Sequence, residues 1–366
     1  MHTMEKKTVK LGIVGLFRGR NVVARTMKNR NFELRAICDK NPERLETARK
    51  LFEEEHKVEN LLCFESFEEL LKSDVDAVYI ATDAPLHTPQ VIQALEAGKH
   101  VLSEIPTINS MEDARALKAA VKAHPNQKYM VGENCCYWEF IQHWKEIYES
   151  GRLGQIVYAE AEYLHAENIN KFKNAEKQDL GWRKNFDAIK YLTHDLGPLL
   201  YIMNDRCVSV TCMQSDIVYN PNKEGKQTGV ALFKTEKGAI IRILICFGAF
   251  TSYDHNYCMF GTHGTLQTDK NKNIEHAHTF ASFADLPVTF AKKIELPWLM
   301  SYNAEENAAG HGGADPKMLR AFIQCIIDDT EPPIDVDAGI AMSIPGIIAC
   351  ESAKQGGALM EIPVIE

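Results

Sequence analysis

The 10 cysteines of this chain include no CxxC pair, and the only clustering is Cys135-Cys136. Adjacent cysteines are poor ligands for one metal, and Cys38 and Cys246 sit inside apolar, strand-like runs. Buried free thiols in a reducing compartment are therefore expected. No run of ~18 apolar residues stands out, so no transmembrane helix is expected. The opening Met1-His2-Thr3-Met4-Glu5-Lys6-Lys7 lacks the apolar core of a signal peptide, which points to the cytoplasm. Long basic runs are missing and the formal net charge is −9, which argues against nucleic acid and anionic membranes as partners. There is no GxSxG elbow, and Gly98-Lys99-His100 is not a P-loop ending, so serine-hydrolase and ATPase chemistry gain little support.

What is present is a chain of 366 residues, 45% apolar and 25% charged. That length suits about two domains, and the composition is that of a globular protein. The first ~130 residues alternate strand and helix patterns. Strands are expected at Val9–Leu16, Leu34–Asp39, Asp76–Thr82, His100–Glu104 and Lys128–Val131. Helices are expected at Asn21–Lys28, Pro42–Glu53 and Thr88–Ala97, and from a Ser110/Asp113 capping box to His124. Such alternation predicts an α/β fold with a doubly wound parallel sheet. Past Gly132 the texture changes. A helix over Trp138–Glu149 is followed by strand patterns at Ile156–Leu164, Val208–Met213, Val230–Lys234, Ala239–Phe247 and Tyr257–Phe260, which suit an antiparallel sheet. Helical segments at Pro316–Asp328 and Gly339–Lys354 finish the chain, and Glu167–Asp179 reads as an exposed loop. The expected division is a Rossmann domain over 1–131 and a second α/β domain, with a large, mainly antiparallel open sheet, over 132–366.

The first strand runs into Gly12-Ile13-Val14-Gly15-Leu16-Phe17-Arg18-Gly19-Arg20. The dinucleotide fingerprint is GxGxxG between a strand and a helix. Gly15 fits its first position, Phe17 replaces the second glycine, and Gly19 comes one residue early for the third. Asp39 ends the second strand, 20 residues past Gly19. A carboxylate there accepts hydrogen bonds from ribose hydroxyls and repels a 2′-phosphate, which favours NAD over NADP; Lys40 softens that preference. The alternative for Asp39 is a cap on the following helix.

Further on come Asp74-Val75-Asp76-Ala77-Val78-Tyr79-Ile80-Ala81-Thr82 with His87, then Ala97-Gly98-Lys99-His100-Val101-Leu102-Ser103-Glu104-Ile105-Pro106, then Gly132-Glu133-Asn134. Together these segments resemble the glucose-fructose oxidoreductase/inositol dehydrogenase (Gfo/Idh/MocA) family over essentially the whole chain, most strongly over residues 8–165. The resemblance implies a Rossmann domain plus an open-sheet α/β domain, a nicotinamide cofactor, a sugar or polyol substrate, and a homo-oligomer packed through the second sheet. It assigns cofactor contacts to Gly15, Phe17, Arg18, Gly19 and Asp39 of the turn region and to Thr82, His87, Glu104 and Asn134.

Two proton carriers of that family are missing. Its dehydrogenases usually carry Glu-Lys-Pro, where this chain has Glu104-Ile105-Pro106, and isoleucine cannot transfer a proton. They also often carry Asp-x-Gly-x-His, where this chain has Asp195-Leu196-Gly197-Pro198-Leu199. Other groups are available: Glu133-Asn134-Cys135-Cys136-Tyr137, then Tyr163 with His165 on one strand face, Tyr191-Leu192-Thr193-His194, and His311-Gly312-Gly313. This set looks like the NAD-dependent α-N-acetylgalactosaminidase branch of the same superfamily, which also lacks the lysine. That branch tends to have glycine at the position of Asp195. The resemblance points to Glu133, Tyr163, Tyr191 and His194 as catalytic groups, and Trp182, Arg183, His311 and Tyr137 are candidates for holding the sugar.

Each residue also has a structural alternative: a sheet-face tyrosine for Tyr163, helix caps for His194 and Glu133, a loop histidine for His311, a surface loop for Trp182 and Arg183. Glu275-His276-Ala277-His278 offers an HxH pair, but no third ligand is identified and no metal is expected. The expected activity is NAD-dependent redox chemistry at C3 of a glycoside, ending in cleavage at the anomeric carbon. The alternatives are a net glycoside 3-dehydrogenase serving a separate lyase, and a non-catalytic NAD-binding sensor.

Overall fold

The computed structural model describes residues 8–165, 180–271, 279–286, 292–296 and 311–366. The expected exposed loop at Glu167–Asp179 and the HxH pair at His276 and His278 lie outside the described residues. In chain order the first elements are β1 (Val9–Val14), α1 (Gly19–Thr26), β2 (Phe32–Cys38), α2 (Pro42–Lys50), β3 (Leu62–Phe64), α3 (Phe67–Lys72), β4 (Ala77–Ile80), α4 (His87–Glu96), β5 (His100–Ser103), α5 (Met111–Ala123) and β6 (Tyr129–Val131). Then come α6 (Glu139–Glu149), β7 (Ile156–Leu164), α7 (Thr193–Met203), β8 (Cys207–Gln214), β9 (Thr228–Thr235), β10 (Ile240–Cys246), β11 (Asp254–Gly261), β12 (Gly264–Thr268), β13 (Thr279–Phe283) and β14 (Ile294–Leu296). The chain closes with α8 (Ala314–Asp328), α9 (Val336–Lys354) and β15 (Met360–Glu361).

These elements form two compact units. The first takes residues 1–133, 305–340 and 365–366, and the second takes 134–304 and 341–364. This differs from the single division at 131/132. The late helix α8 returns to the first unit, where it packs on α1. Its apolar side, with Met318, Leu319, Phe322 and Ile323 fully buried, requires a covered surface.

The first unit holds a six-stranded sheet in the order β3-β2-β1-β4-β5-β6, parallel throughout. Its inner strands are apolar on both faces: all four residues of β4 are buried. That is the pattern of a sheet covered on both sides. The order reverses beside β1, which puts the ligand crevice of such a sheet at the carboxyl ends of β1 and β4. The helix from Ser110 forms as expected, the Ser110 hydroxyl accepting from Asp113 N at 3.0 Å.

The second unit holds, among the described residues, a nine-stranded sheet in the order β14-β13-β12-β11-β7-β10-β9-β8-β15. Every pairing is antiparallel except β7 with β10. Alternation is clean along β9, where Ala231 and Phe233 face the core while Val230 and Leu232 stay exposed.

All 10 cysteines are free, and all but Cys63 and Cys246 are buried. Burial pushes the thiols of Cys38, Cys212 and Cys258 up to about 12, which keeps them protonated and inert. One expectation needs correction. The 19-residue helix α9 is long and apolar enough to cross a membrane by length and composition. It escapes a search for unbroken apolar runs because Asp337, Ser343 and Glu351 interrupt it. In the structure 56% of its most apolar window is buried inside the protein, as in a core helix.

Candidate active site

The first unit builds a nucleotide turn from the residues expected to make one. Gly15 has φ +89°, and a Cβ there would lie 2.4 Å from the Ala81 carbonyl oxygen, so only glycine fits. Gly19 opens α1, and its Cβ would meet Ile13 at 2.7 Å. It therefore performs the close helix–strand packing of the third fingerprint glycine, one residue early. Phe17 tolerates the second position because its side chain is 72% exposed and leaves the backbone side of the turn open.

Asp39 is not a helix cap, a role that Asn41 takes by accepting from Glu43 N and Arg44 N. Instead Asp39 Oδ2 accepts from Leu16 N at 2.8 Å and Oδ1 from Asn41 N at 2.9 Å, which ties β2 to the glycine turn. Each carboxylate oxygen keeps a second lone pair for a ribose hydroxyl. Turn, packing glycine and carboxylate together fit a dinucleotide, and in particular NAD.

Four other expected cofactor contacts, Arg18, Glu104, His87 and Thr82, also bond within the protein. Arg18 gives Nε to Glu104 at 3.0 Å and both terminal nitrogens to Asp315 at 2.8 Å. Its guanidinium is held in this fork by three hydrogen bonds. Glu104 also accepts from the Tyr79 hydroxyl. His87 is buried, with Nδ1 2.9 Å from the Pro106 carbonyl and Nε2 2.9 Å from the Thr82 carbonyl. It braces the loops after β4 and β5, and burial holds its pKa below the usual histidine range. The Thr82 hydroxyl donates to Gln90 Oε1 at 2.5 Å.

His311 also joins this network, with Nδ1 3.0 Å from Asp315 Oδ2. It belongs to the first unit, whereas the other candidate sugar-holding residues belong to the second. Burial opposes ionisation of Asp315, yet Arg18 and His311 hold its carboxyl well below the ordinary range. Glu133 is fully buried at the end of the first unit, and Asn134, buried as well, opens the second.

In the second unit β7 sets the geometry. Tyr163 stands opposite His255 of β11 in the ladder, and the two rings stack at 3.9 Å. His255 Nδ1 lies 3.1 Å from Asp195 Oδ1, and both side chains are buried. Tyr191 ends a short 3-10 turn and His194 lies in the first turn of α7; their rings meet edge to face at 5.1 Å. Tyr163 is 6.4 Å from Tyr191 and 5.7 Å from His194, centroid to centroid. Tyr163, Tyr191 and His194 thus converge. His165, Phe247 and Tyr253 enclose them, each ring within 5.9 Å of Tyr163.

Pro198 has a local reason to sit inside α7. It has no N–H to give the carbonyl four residues earlier, that of His194. That oxygen instead accepts from the Tyr257 hydroxyl at 2.5 Å, which pins α7 to β11. The Cys135 thiol meets His194 Nδ1 at 3.3 Å and so helps to set which ring nitrogen carries the proton. Burial pushes the Tyr163 phenol well above its usual range, with Tyr253 and Tyr191 adding to the effect. Tyr163 is a neutral hydrogen-bond donor at rest.

Beside this cluster lies a cavity of about 170 Å³, lined by Tyr163, Tyr191, Trp182 and Arg183 together with Phe186 and Phe247. Tyr137 is buried in the turn before α6 and is not part of this lining. The Asp195–His255 pair has no local motif in the sequence, where Asp195 stands out only as a departure from a family pattern; the period of two that places His255 and Tyr257 on one face is the available signal.

A family model described as an oxidoreductase family with an NAD-binding Rossmann fold matches residues 9–133. A Gfo/Idh/MocA C-terminal domain model matches 141–267, and a glycosyl hydrolase 109 C-terminal domain model matches 223–365. Models of the Gfo/Idh/MocA oxidoreductases thus match both the first and the second part of the chain. It is an enzyme, and its cofactor is NAD. A glycosyl hydrolase family 109 protein of Phocaeicola vulgatus is 27% identical over 380 residues, covering 90% of this chain and 72% of the relative. The fold matches an oxidoreductase domain protein from Kribbella flavida with a TM-score of 0.82 at 19% identity, over 98% of this chain and all of that one. It also matches scyllo-inositol dehydrogenase from Lactobacillus casei, solved with NAD(H) and scyllo-inositol, with a TM-score of 0.75 at 20% identity, over 97% of this chain and 99% of that one.

The Asp315 network gives a pH-dependent prediction. Asp315→Asn removes one partner of a buried charge pair and should cost about 3–5 kcal/mol in urea unfolding near neutral pH. The folded pKa of Asp315 lies below its unfolded value of about 3.9. Its contribution is therefore complete above that value and is lost as the pH falls through the folded one. The gap between wild type and variant should narrow in acid; a gap that does not change with pH contradicts the assignment.

Proposed function

We propose that this enzyme is a redox-neutral glycosidase acting on pyranosides. The reading is carried by the convergence of Tyr163, Tyr191 and His194 in the second unit, in a chain whose Ile105 replaces the lysine that moves the hydroxyl proton in dehydrogenases of the family. Gly15, Gly19 and Asp39 would hold NAD, which when bound would supply reversible hydride acceptance and so let a ring carbinol become a ketone and return. The residues of the chain handle the protons. His194, paired with Tyr191, receives the proton of the C3 hydroxyl. A C3 ketone acidifies the C2 hydrogen; a second base of the site takes it as a proton, and the aglycone, protonated as it departs, leaves from C1 by elimination. Water then adds across C1 and C2, the hydroxyl to C1 and a proton to C2. Tyr163, kept protonated by burial, donates a hydrogen bond to a ring oxygen and steadies charge as it develops. Glu133 belongs to the proposed set as a carboxylate that orients the sugar or activates water. The match of residues 223–365 to the glycosyl hydrolase 109 model supports cleavage over simple dehydrogenation. We also propose that the exposed Val230, Leu232 and Ile240 on the outer sheet face meet a second copy of the chain. Sedimentation equilibrium giving only monomer contradicts that assembly.

The test follows released aglycone and NADH absorbance together over a panel of aryl glycosides. Aglycone should appear without net NADH. NADH rising with the glycosidic bond intact would make the enzyme a 3-dehydrogenase instead. His194→Ala should lower turnover by about 10²–10⁴-fold while NADH still binds by fluorescence titration. Lost cofactor binding, or unchanged turnover, contradicts the role given to His194.

A further inference from the structure

The described lining of the cavity in the second unit carries charge opposite to that of the chain as a whole. The protein carries a formal net charge of −9. The described residues lining the cavity nevertheless include Arg183, Lys223 and Lys226 and no carboxylate. Lys226 reaches Asp216 at 2.6 Å, but that aspartate is 90% exposed, and such a surface pair is weak and screened. The Arg183 guanidinium carbon lies 4.4 Å from the Trp182 ring centroid, and Lys223 Nζ lies 5.8 Å from that of Phe247. Contacts of this kind hold a cation in place. Trp182 adds a buried indole N–H that meets no acceptor among the described residues.

The guanidinium, the two ammonium groups and the indole N–H of this wall are donors with no acceptor capacity, and they stand beside Tyr163, Tyr191, His165 and Gln227, which can also accept. A neutral sugar presents hydroxyls, which donate as well as accept, and brings no charge to this wall. A ligand rich in acceptors and carrying negative charge complements it in both respects. We infer that this cavity selects a glycoside bearing an oxyanion: a carboxylate, a sulfate or a phosphate on the sugar or next to it. Selection for turnover rests on the glycosidase reading, while binding of the anion rests on the cavity alone.

The test uses the full chain with NAD and isothermal titration with matched sugars in the gluco and galacto series. Each neutral monosaccharide is compared with its uronic acid, its 6-sulfate and its 6-phosphate, and these three arms identify the anion. At least one anionic sugar should bind tenfold or more tightly than its neutral parent, and added salt should shrink that preference. Arg183→Gln and Lys223→Gln should each remove most of the preference at unchanged melting temperature. Equal or weaker binding of all three anions in both series overturns the inference, as does a preference that both substitutions leave intact. Turnover of the matched aryl glycosides separates the two readings. Neutral glycosides cleaved in preference to anionic ones overturn this inference and leave the glycosidase standing. Anion binding with no glycoside converted does the reverse.

Discussion

The register of β7 against β11 is the constraint on which the candidate chemistry depends. It places Tyr163 opposite His255 and lets the rings stack at 3.9 Å. A slip of one residue would send Tyr163 to the outer face of the sheet, because the side-chain period of a strand is two. The same register carries Tyr257 to the His194 carbonyl that Pro198 leaves without a helical donor. Asp195, one residue beyond His194, reaches His255 in turn. Sheet pairing, a proline inside a helix and one buried aspartate–histidine pair thus fix the tyrosine and histidine rings together. A site built this way is held on regular elements, which positions acid–base groups more tightly than loops do.

The first unit solves a different problem, that of holding a dinucleotide with an irregular fingerprint. The strained backbone at Gly15 and the close packing at Gly19 are retained, and the missing glycine at Phe17 is tolerated because its side chain faces solvent. Arg18 joins a fork with Asp315 and Glu104, so a helix more than 290 positions later in the chain helps to support α1. Glu104 persists from the Glu-Lys-Pro pattern as part of this network, while the proton carrier beside it is gone. The buried network carries structure, and in the proposed mechanism proton handling falls to the second unit.

Much of this was legible in the sequence. Alternating strand and helix patterns gave the parallel sheet, and β7 was expected at Ile156–Leu164, as found. The family resemblance points to Tyr163, Tyr191 and His194, and the structure brings their rings together. What was not legible depended on distant pairing. The short strands β3 and β14 are too brief to show a period. Helix α7 carries Gly197 and Pro198, which read as breakers until the tertiary contact that uses them is known. The return of α8 to the first unit, and with it the commitment of Arg18 and His311 to Asp315, follows from contacts across hundreds of residues that no local pattern encodes.

The central claim is that the glycosidic bond breaks by elimination after transient oxidation at C3. Cleavage of an aryl glycoside in D₂O, with NMR of the released sugar, tests it most directly. The account predicts solvent deuterium at C2 and retention of the substrate's own hydrogen at C3. Released sugar carrying only protium at C2 would contradict it, since direct hydrolysis never breaks that bond.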